Sequence, residues 1–204
     1  QVTDAAGRVV NYSYDAFGNA WLIRDSLGNT VSREYDTDSR LLSETLYTTL
    51  NPVVGTTPGM TSRFAYDANK NLRFSVSPQG NVTEYRYDPT VHNERTTVIR
   101  YPAALYTGTN FSTAALAAWA ATQDKTKIQR TDSVYDGTGQ IRSVTAWNAT
   151  DAAGIGVNDN KQSVSRYVYD RAGRLLISVD PRGNSTTPGS AYVTSYVYDG
   201  LDRL

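Results

Sequence analysis

One histidine, no cysteine and twenty acidic side chains are what this sequence offers to chemistry. His92 follows Asp88-Pro89 in a polar stretch, and no serine, cysteine or second ligand is spaced to work with it. It is therefore read as neither a general base nor a metal ligand. Lack of cysteine excludes disulfides, thiol nucleophiles and cysteine-held zinc. The aspartates raise calcium, most of all at Asn158-Asp159-Asn160. Yet there is no EF-hand loop and no Gly-Gly-x-Gly-x-Asp repeat, and turn-capping accounts for aspartates without an ion. Dinucleotide, P-loop and nucleophile-elbow patterns are absent, and Gly154-Ile155-Gly156 is too short to carry meaning. No catalytic, cofactor-binding or metal residue is assigned, and the chain is read as non-enzymatic. The remaining chemistry is aromatic. A flat exposed indole can stack on a sugar ring, and Trp21 and Trp147 are the candidates, standing in strands after turns. The competing reading is that they cover a sheet's second face or edge.

What would position these residues is β-structure. Fifteen tyrosines stand against four phenylalanines and one methionine, and tyrosine favours strands. Composition is that of a soluble chain long enough for one or two domains with a core. Formal net charge is zero, and Arg24, Arg33, Arg63, Arg86 and Arg166 are scattered among acidic residues. That reads as a mixed solvated face, with no nucleic-acid groove. No apolar run has the length of a membrane span. Gln1-Val2-Thr3-Asp4 has no signal-peptide character.

The sequence repeats. Asp15 to Asp36 and Asp67 to Asp88 are each 21 residues, and a third, stretched unit starts at Asp170. Each unit opens on a Tyr-Asp pair: Tyr14-Asp15, Tyr66-Asp67 and Tyr169-Asp170. The same pair recurs at Tyr87-Asp88, Tyr135-Asp136 and Tyr198-Asp199, and a partial copy begins at Asp4. Gly18, Gly139 and Gly173 follow three residues after their aspartates. A second turn lies half-way, at Asp25 to Gly28, Ser77 to Gly80 and Asp180 to Gly183. Asp at the first position can bond the backbone two residues on, and glycine at the fourth tolerates positive φ. A type I turn followed by left-handed glycine is a common hairpin connection. About six residues between turns make a usual strand. Leu72, Phe74 and Val76 alternate onto one face, as do Leu175, Ile177 and Val179. Tyr12/Tyr14, Tyr85/Tyr87, Tyr167/Tyr169 and Tyr196/Tyr198 are spaced by two, which predicts tyrosine ladders across a sheet. Ser39, Lys70 and Asp202 stand where glycine is expected, which predicts open turns or another turn type there.

This phrase, with its period, both turns and Tyr-x-Tyr-Asp together, resembles the YD repeat of RHS-type proteins. These comprise bacterial RHS polymorphic toxins, the B/C components of Tc toxins, wall-associated proteins and animal teneurins. The match covers most of residues 1–88 and 132–204. The resemblance implies antiparallel hairpins in one extended, curved or spiral sheet. It also implies a shell enclosing or presenting a toxin or effector. The parent would be a large secreted or surface protein of which 1–204 is a fragment. Implied partners are further repeats and a C-terminal effector of the same parent. A glycan or cell-surface protein belongs to the alternative, an adhesin or binding module. No cofactor, nucleic acid or membrane insertion is implied.

Three stretches fall outside the repeat. Residues 48–62 read as a loop. Residues 89–132 read as an insertion with a helix at about 113–124, capped by Ser112 or Thr113 and alanine-rich. Its Leu116, Trp119 and Ala120 form one apolar face, so Trp119 packs the helix on the sheet or docks a partner. Residues 148–165 are small and polar and read as an exposed loop.

Overall fold

A computed structural model describes residues 1–3, 5–90, 93–184 and 192–203. Asp4, His92 and the Ser185–Ala191 stretch lie outside the described residues. The chain is mostly β, with antiparallel hairpins following one another in sequence order and one α-helix among the described residues.

One turn design recurs. At Asp15 the Gly18 N–H donates to the Asp15 carbonyl at 3.2 Å, and the Asp15 N–H donates to the Asn19 carbonyl at 3.0 Å. The Asp15 carboxylate accepts the N–H groups of Phe17 and Asn19, each at 2.9 Å. Gly18 is left-handed, with φ 85°. This is a type I turn closed by a glycine bulge. Pairing slips by one residue at the tyrosine each time, at Tyr14, Tyr35, Tyr66, Tyr87, Tyr135 and Tyr169. At Asp180 the glycine turn is replaced by a 3-10 turn over Pro181–Asn184.

The turns without glycine depart from the sequence expectation. Ser39, Lys70 and Asp202 adopt the same left-handed backbone, with φ 62°, 68° and 60°. Their N–H groups close the same bond to Asp36, Asp67 and Asp199 at 3.0, 3.0 and 3.1 Å. A left-handed non-glycine residue costs about 1–2 kcal/mol. The carboxylate's bonds and the flanking ladder outweigh that cost, so the turn keeps its type. Ser39→Gly is therefore expected to raise stability by about 0.5–1 kcal/mol, after glycine's extra unfolded-state entropy is deducted. Urea unfolding with an unchanged slope would show it.

The structure divides into two compact units, residues 1–82 with 105–121 and residues 83–104 with 122–204. The first holds β1 (Val2–Thr3), β2 (Val9–Tyr14), β3 (Ala20–Asp25), β4 (Thr30–Tyr35), β5 (Leu41–Leu46), β6 (Met60–Tyr66) and β7 (Leu72–Val76), side by side in that order. Its helix α1 (Thr113–Thr122) is capped by Ser112, whose Oγ accepts the Ala115 N–H at 3.3 Å. The Thr113 hydroxyl donates to the Tyr66 carbonyl at 2.7 Å. Phe74, Val76, Val82, Leu116 and Ala120 are the buried core. Trp119 is half-buried and meets Tyr106 edge-on at 5.7 Å, so Leu116 and Ala120 supply the helix's deepest packing.

The second unit holds β8 (Val82–Asp88), β9 (Glu94–Arg100), β10 (Gln129–Tyr135), β11 (Ile141–Ala146), β12 (Ser163–Tyr169), β13 (Leu175–Val179) and β14 (Val193–Ser195), again in order. Residues 89–132 thus contain a strand, β9, paired with β8 and β10, as well as the turn to its helix. The β-branched run Thr96-Thr97-Val98-Ile99 suits it to that place. Residues 148–165 fold back in part. Thr150 bridges Gly156, and Asp151 makes the familiar turn, with Gly154 at φ 79°. Thr150 is buried, and its hydroxyl donates to the Lys125 carbonyl at 2.6 Å.

Candidate functional site

Trp21 sits in β3 beside the first bulge and is 37% exposed. It lines a groove of about 460 Å³ on one face of the first unit's sheet. Pairing sets the floor. Ser32 lies opposite Thr45, which lies opposite Thr61; Glu34 lies opposite Ser43, which lies opposite Arg63. The strand period of two brings all six side chains to one face. Their hydroxyls are tied pairwise: Thr45 to Thr61 at 2.8 Å, Ser32 to the Tyr47 hydroxyl at 3.1 Å, and Ser43 donating to Glu34 at 2.6 Å. Gly55 and Thr57, from the loop before β6, contribute to the lining. That loop is anchored where Asn51 N–H donates to the Gly28 carbonyl at 2.9 Å and Arg24 donates to the Pro52 carbonyl at 3.0 Å. A Cβ on Gly28 would stand 2.6 Å from the Asn51 amide nitrogen, so the anchor needs glycine there. A second cavity of about 250 Å³ shares Gly59, Thr61 and Arg63 with the first and ends on Tyr106 and Phe111. The Arg63 guanidinium lies 4.7 Å from the Phe111 ring centroid.

Trp147, in the second unit, is placed differently. Its Nε1–H donates to Asp132 Oδ2 at 2.6 Å, and Gly156 lies against the indole so closely that a Cβ would overlap the ring. That side of the indole is closed to a ligand. Asp132 is the hub here, accepting also from the Thr97 hydroxyl at 2.8 Å and Arg130 Nε at 2.8 Å. Arg130 reaches on to the Gly154 carbonyl at 2.7 Å. Nearby in the same unit, buried Glu84 accepts Arg86 Nε at 2.7 Å and the hydroxyl of buried Tyr101. Arg130 and Arg86 stand two residues from Asp132 and Glu84 in the sequence, but the Thr97, Trp147 and Tyr101 partners that make these residues hubs come from outside their own strands.

Four of the Tyr-Asp tyrosines bond across hairpins. Tyr35 donates its hydroxyl to the Ala20 carbonyl at 3.2 Å, Tyr66 to Leu41 at 3.0 Å and Tyr198 to Leu175 at 3.1 Å. Each acceptor is the residue fifth after the preceding Tyr-Asp aspartate. Tyr135 donates likewise to the Arg95 carbonyl at 3.1 Å, after the longer turn at Asp88. Where the fourth residue is arginine, it clamps both parts. Arg40 bonds Asp36 at 2.6 Å and lies 5.2 Å from the Tyr66 ring centroid; Arg174 bonds Asp170 at 2.7 Å and lies 5.1 Å from that of Tyr198. Tyr14 has no such place; it is exposed and stacks on Tyr12 at 6.4 Å.

The turns should sense acid. The Asn19 and Asn29 side chains lead in holding the Asp15 and Asp25 carboxyls below their ordinary range. At Asp170 and Asp199 the leading cause is the N–H of the fourth residue, Arg174 or Arg203. A folded-state value below the unfolded one, about 3.9, gives stability that is complete above it and lost as pH falls through the folded values. The melting temperature is expected to hold from pH 7 to about pH 5 and to drop steeply below about pH 4. A flat profile down to pH 2 would refute the turn carboxylates as its cause.

Among the described residues, no group of three or more histidine or acidic side chains is placed to hold a metal ion. Among the described residues no helix is long and apolar enough to cross a membrane.

The hairpin meander defines the class, a sheet of Tyr-Asp repeats. Comparison with known proteins gives the same fold. A segment of the Photorhabdus luminescens Tc holotoxin pore matches with a TM-score of 0.54 and 17% identity over 84% of this chain. The TcdB2-TccC3 structure matches with a TM-score of 0.54 and 16% identity, also over 84%. The chain spans about 7% of the length of each of those two chains. No family model and no curated protein matches the sequence.

Proposed function

We propose that this chain is a wall segment of an RHS-type YD-repeat shell, part of a larger secreted protein that encloses or presents an effector. The observation that carries this reading is the cross-hairpin tyrosine bond, made with the same spacing by Tyr35, Tyr66 and Tyr198 and across a longer turn by Tyr135. A device repeated at four hairpins builds an extendable wall, whereas a catalytic site is needed once. The fold shared with segments of Tc toxin chains supports it. So do the terminal strands: among the described residues β1 pairs with β2 alone and β14 with β13 alone, which leaves each an outer edge on which a further hairpin can pair. The test is a cryo-electron microscopy structure of the full natural protein. These strands are expected in the wall of a lumen, with β1 and β14 each paired to another repeat. A free-standing module with both edges in solvent would refute the reading. A second reading, an adhesive or glycan-binding surface, is favoured by the Trp21 groove.

A further inference from the structure

We infer that the groove running from Trp21 to Phe111 on the first unit is a binding site for a linear, uncharged oligosaccharide. This site does not depend on the shell reading, since a wall with or without a ligand is still a wall. Three observations carry it. First, the two cavities of about 460 and 250 Å³ share Gly59, Thr61 and Arg63, so they form one elongated groove. The larger falls within the size of small-ligand sites, about 300–1,000 Å³, and the smaller extends it. Secondly, aromatic rings stand at both ends, Trp21 and Tyr47 at one, Tyr106 and Phe111 at the other. Two separated rings suit a ligand that offers an apolar ring face at intervals along its length. Thirdly, the floor between them is hydroxyl-rich and nearly charge-balanced. Each floor hydroxyl has one internal bond and keeps further capacity, since a hydroxyl offers one donor and two acceptor positions. Glu34 is 74% exposed and Arg63 35% exposed, only 3.9 Å apart, and Arg33, which also lines the groove, is already paired with Glu44 at 2.8 Å. An anionic or cationic polymer gains nothing from those pairs.

The same geometry disfavours an extended peptide. A peptide strand binds a sheet by its edge, through free backbone groups. Here the floor belongs to β4, β5 and β6, each paired on both sides, so the ladder groups are already used. The side chains alone must recognise the ligand, and alternating hydroxyl groups with aromatic faces are what a sugar chain matches.

The test is a titration of the ¹⁵N-labelled 204-residue chain with maltotriose, cellotriose and triacetylchitotriose, followed by NMR. At least one is expected to shift the Trp21 indole N–H and the Gly55 and Thr61 amides, with a millimolar dissociation constant of order ~1–10 mM. The Trp147 indole N–H should stay in place. Trp21→Ala should weaken binding about tenfold or more. Thr61→Val, which keeps the floor's shape, should weaken it by about threefold and guards against a misfolded tryptophan variant. Phe111→Ala should weaken the trisaccharide and leave the corresponding monosaccharide unaffected. The proposal is overturned if none of the three sugars moves these resonances at about 50 mM, far above the expected constant. It is equally overturned if the shifts map outside the groove, if Thr61→Val and Trp21→Ala both bind as the parent does, or if a neutral tripeptide binds as well as the sugars.

Discussion

Replacing Glu84 by alanine is expected to destabilise the second unit by about 2–4 kcal/mol, from leaving the buried Tyr101 hydroxyl without this acceptor and a cavity where the carboxylate stood. Glu84 is 2% exposed and Tyr101 is 3% exposed. Removing the carboxylate leaves the Tyr101 hydroxyl dry and without that acceptor, and takes from Arg86 the charge it pairs with at 2.7 Å. The Lys125 ammonium, 5.7 Å from the Tyr101 ring centroid, lies over the same tyrosine. Glu84→Gln separates the two effects. The amide oxygen can still accept the tyrosine's hydrogen bond, while its NH2 faces Arg86 and loses both that bond and the charge, and the cost should fall to about 1–2 kcal/mol because Arg86 is 47% exposed and water can re-solvate it. Trp147 fluorescence during urea unfolding, with Trp21 and Trp119 replaced by phenylalanine in every variant compared, reads this unit. Equal losses for the two variants would mean that the carboxylate's charge beside Arg86, and not the side chain's shape or its bond to Tyr101, holds the site.

Phe74→Ala should cost a similar amount, about 3–5 kcal/mol, through lost apolar packing alone. Phe74 is fully buried, opposite Ala65 in the ladder and flanked by Val76 on its own strand. Leu116 and Ala120 of α1 are buried in the same unit. A helix of ten residues is marginal on its own in water, so its stability comes from this burial. The cavity left by alanine should therefore speed hydrogen exchange in α1 more than in β2, near the sheet's far end. Phe74→Leu, which restores most of the volume, should cost less than half as much. If α1 keeps its protection in Phe74→Ala, the helix is held by its Ser112 cap and the Thr113–Tyr66 bond, and not by the core.

These two residues differ in how far the sequence announces them. Phe74 is legible: it alternates with Leu72 and Val76 between two turn signals, and a period of two needs only local residues. Glu84 is not, because an acid in "VTEYRYD" reads as a solvated strand position until Tyr101, seventeen residues on, is brought beside it. The same holds within the groove. Trp21 is visible as an irregular aromatic, but Ser32, Thr45, Tyr47 and Thr61 are ordinary strand residues until the register sets them side by side. The turn at Asp151 was readable from its Asp-x-x-Gly spacing, yet its neighbours hid it among small polar residues. Ser39 and Lys70 show the opposite error, where a missing glycine suggests a broken turn and the turn persists.

By itself the sequence determined the hairpin architecture, the strand faces, the helix and the resemblance to YD-repeat shells, since turns and alternation depend on residues within a few positions of one another. Only the tertiary structure decided that tyrosine hydroxyls bond the preceding hairpin, that Gly156 closes one side of Trp147 while Trp21 opens onto a groove, and that Asp132 and Glu84 are bonded hubs. Those outcomes depend on partners from outside the residue's own turn and strand: a turn sets the register within its hairpin, but which side chains then meet depends on what the next hairpin brings beside them.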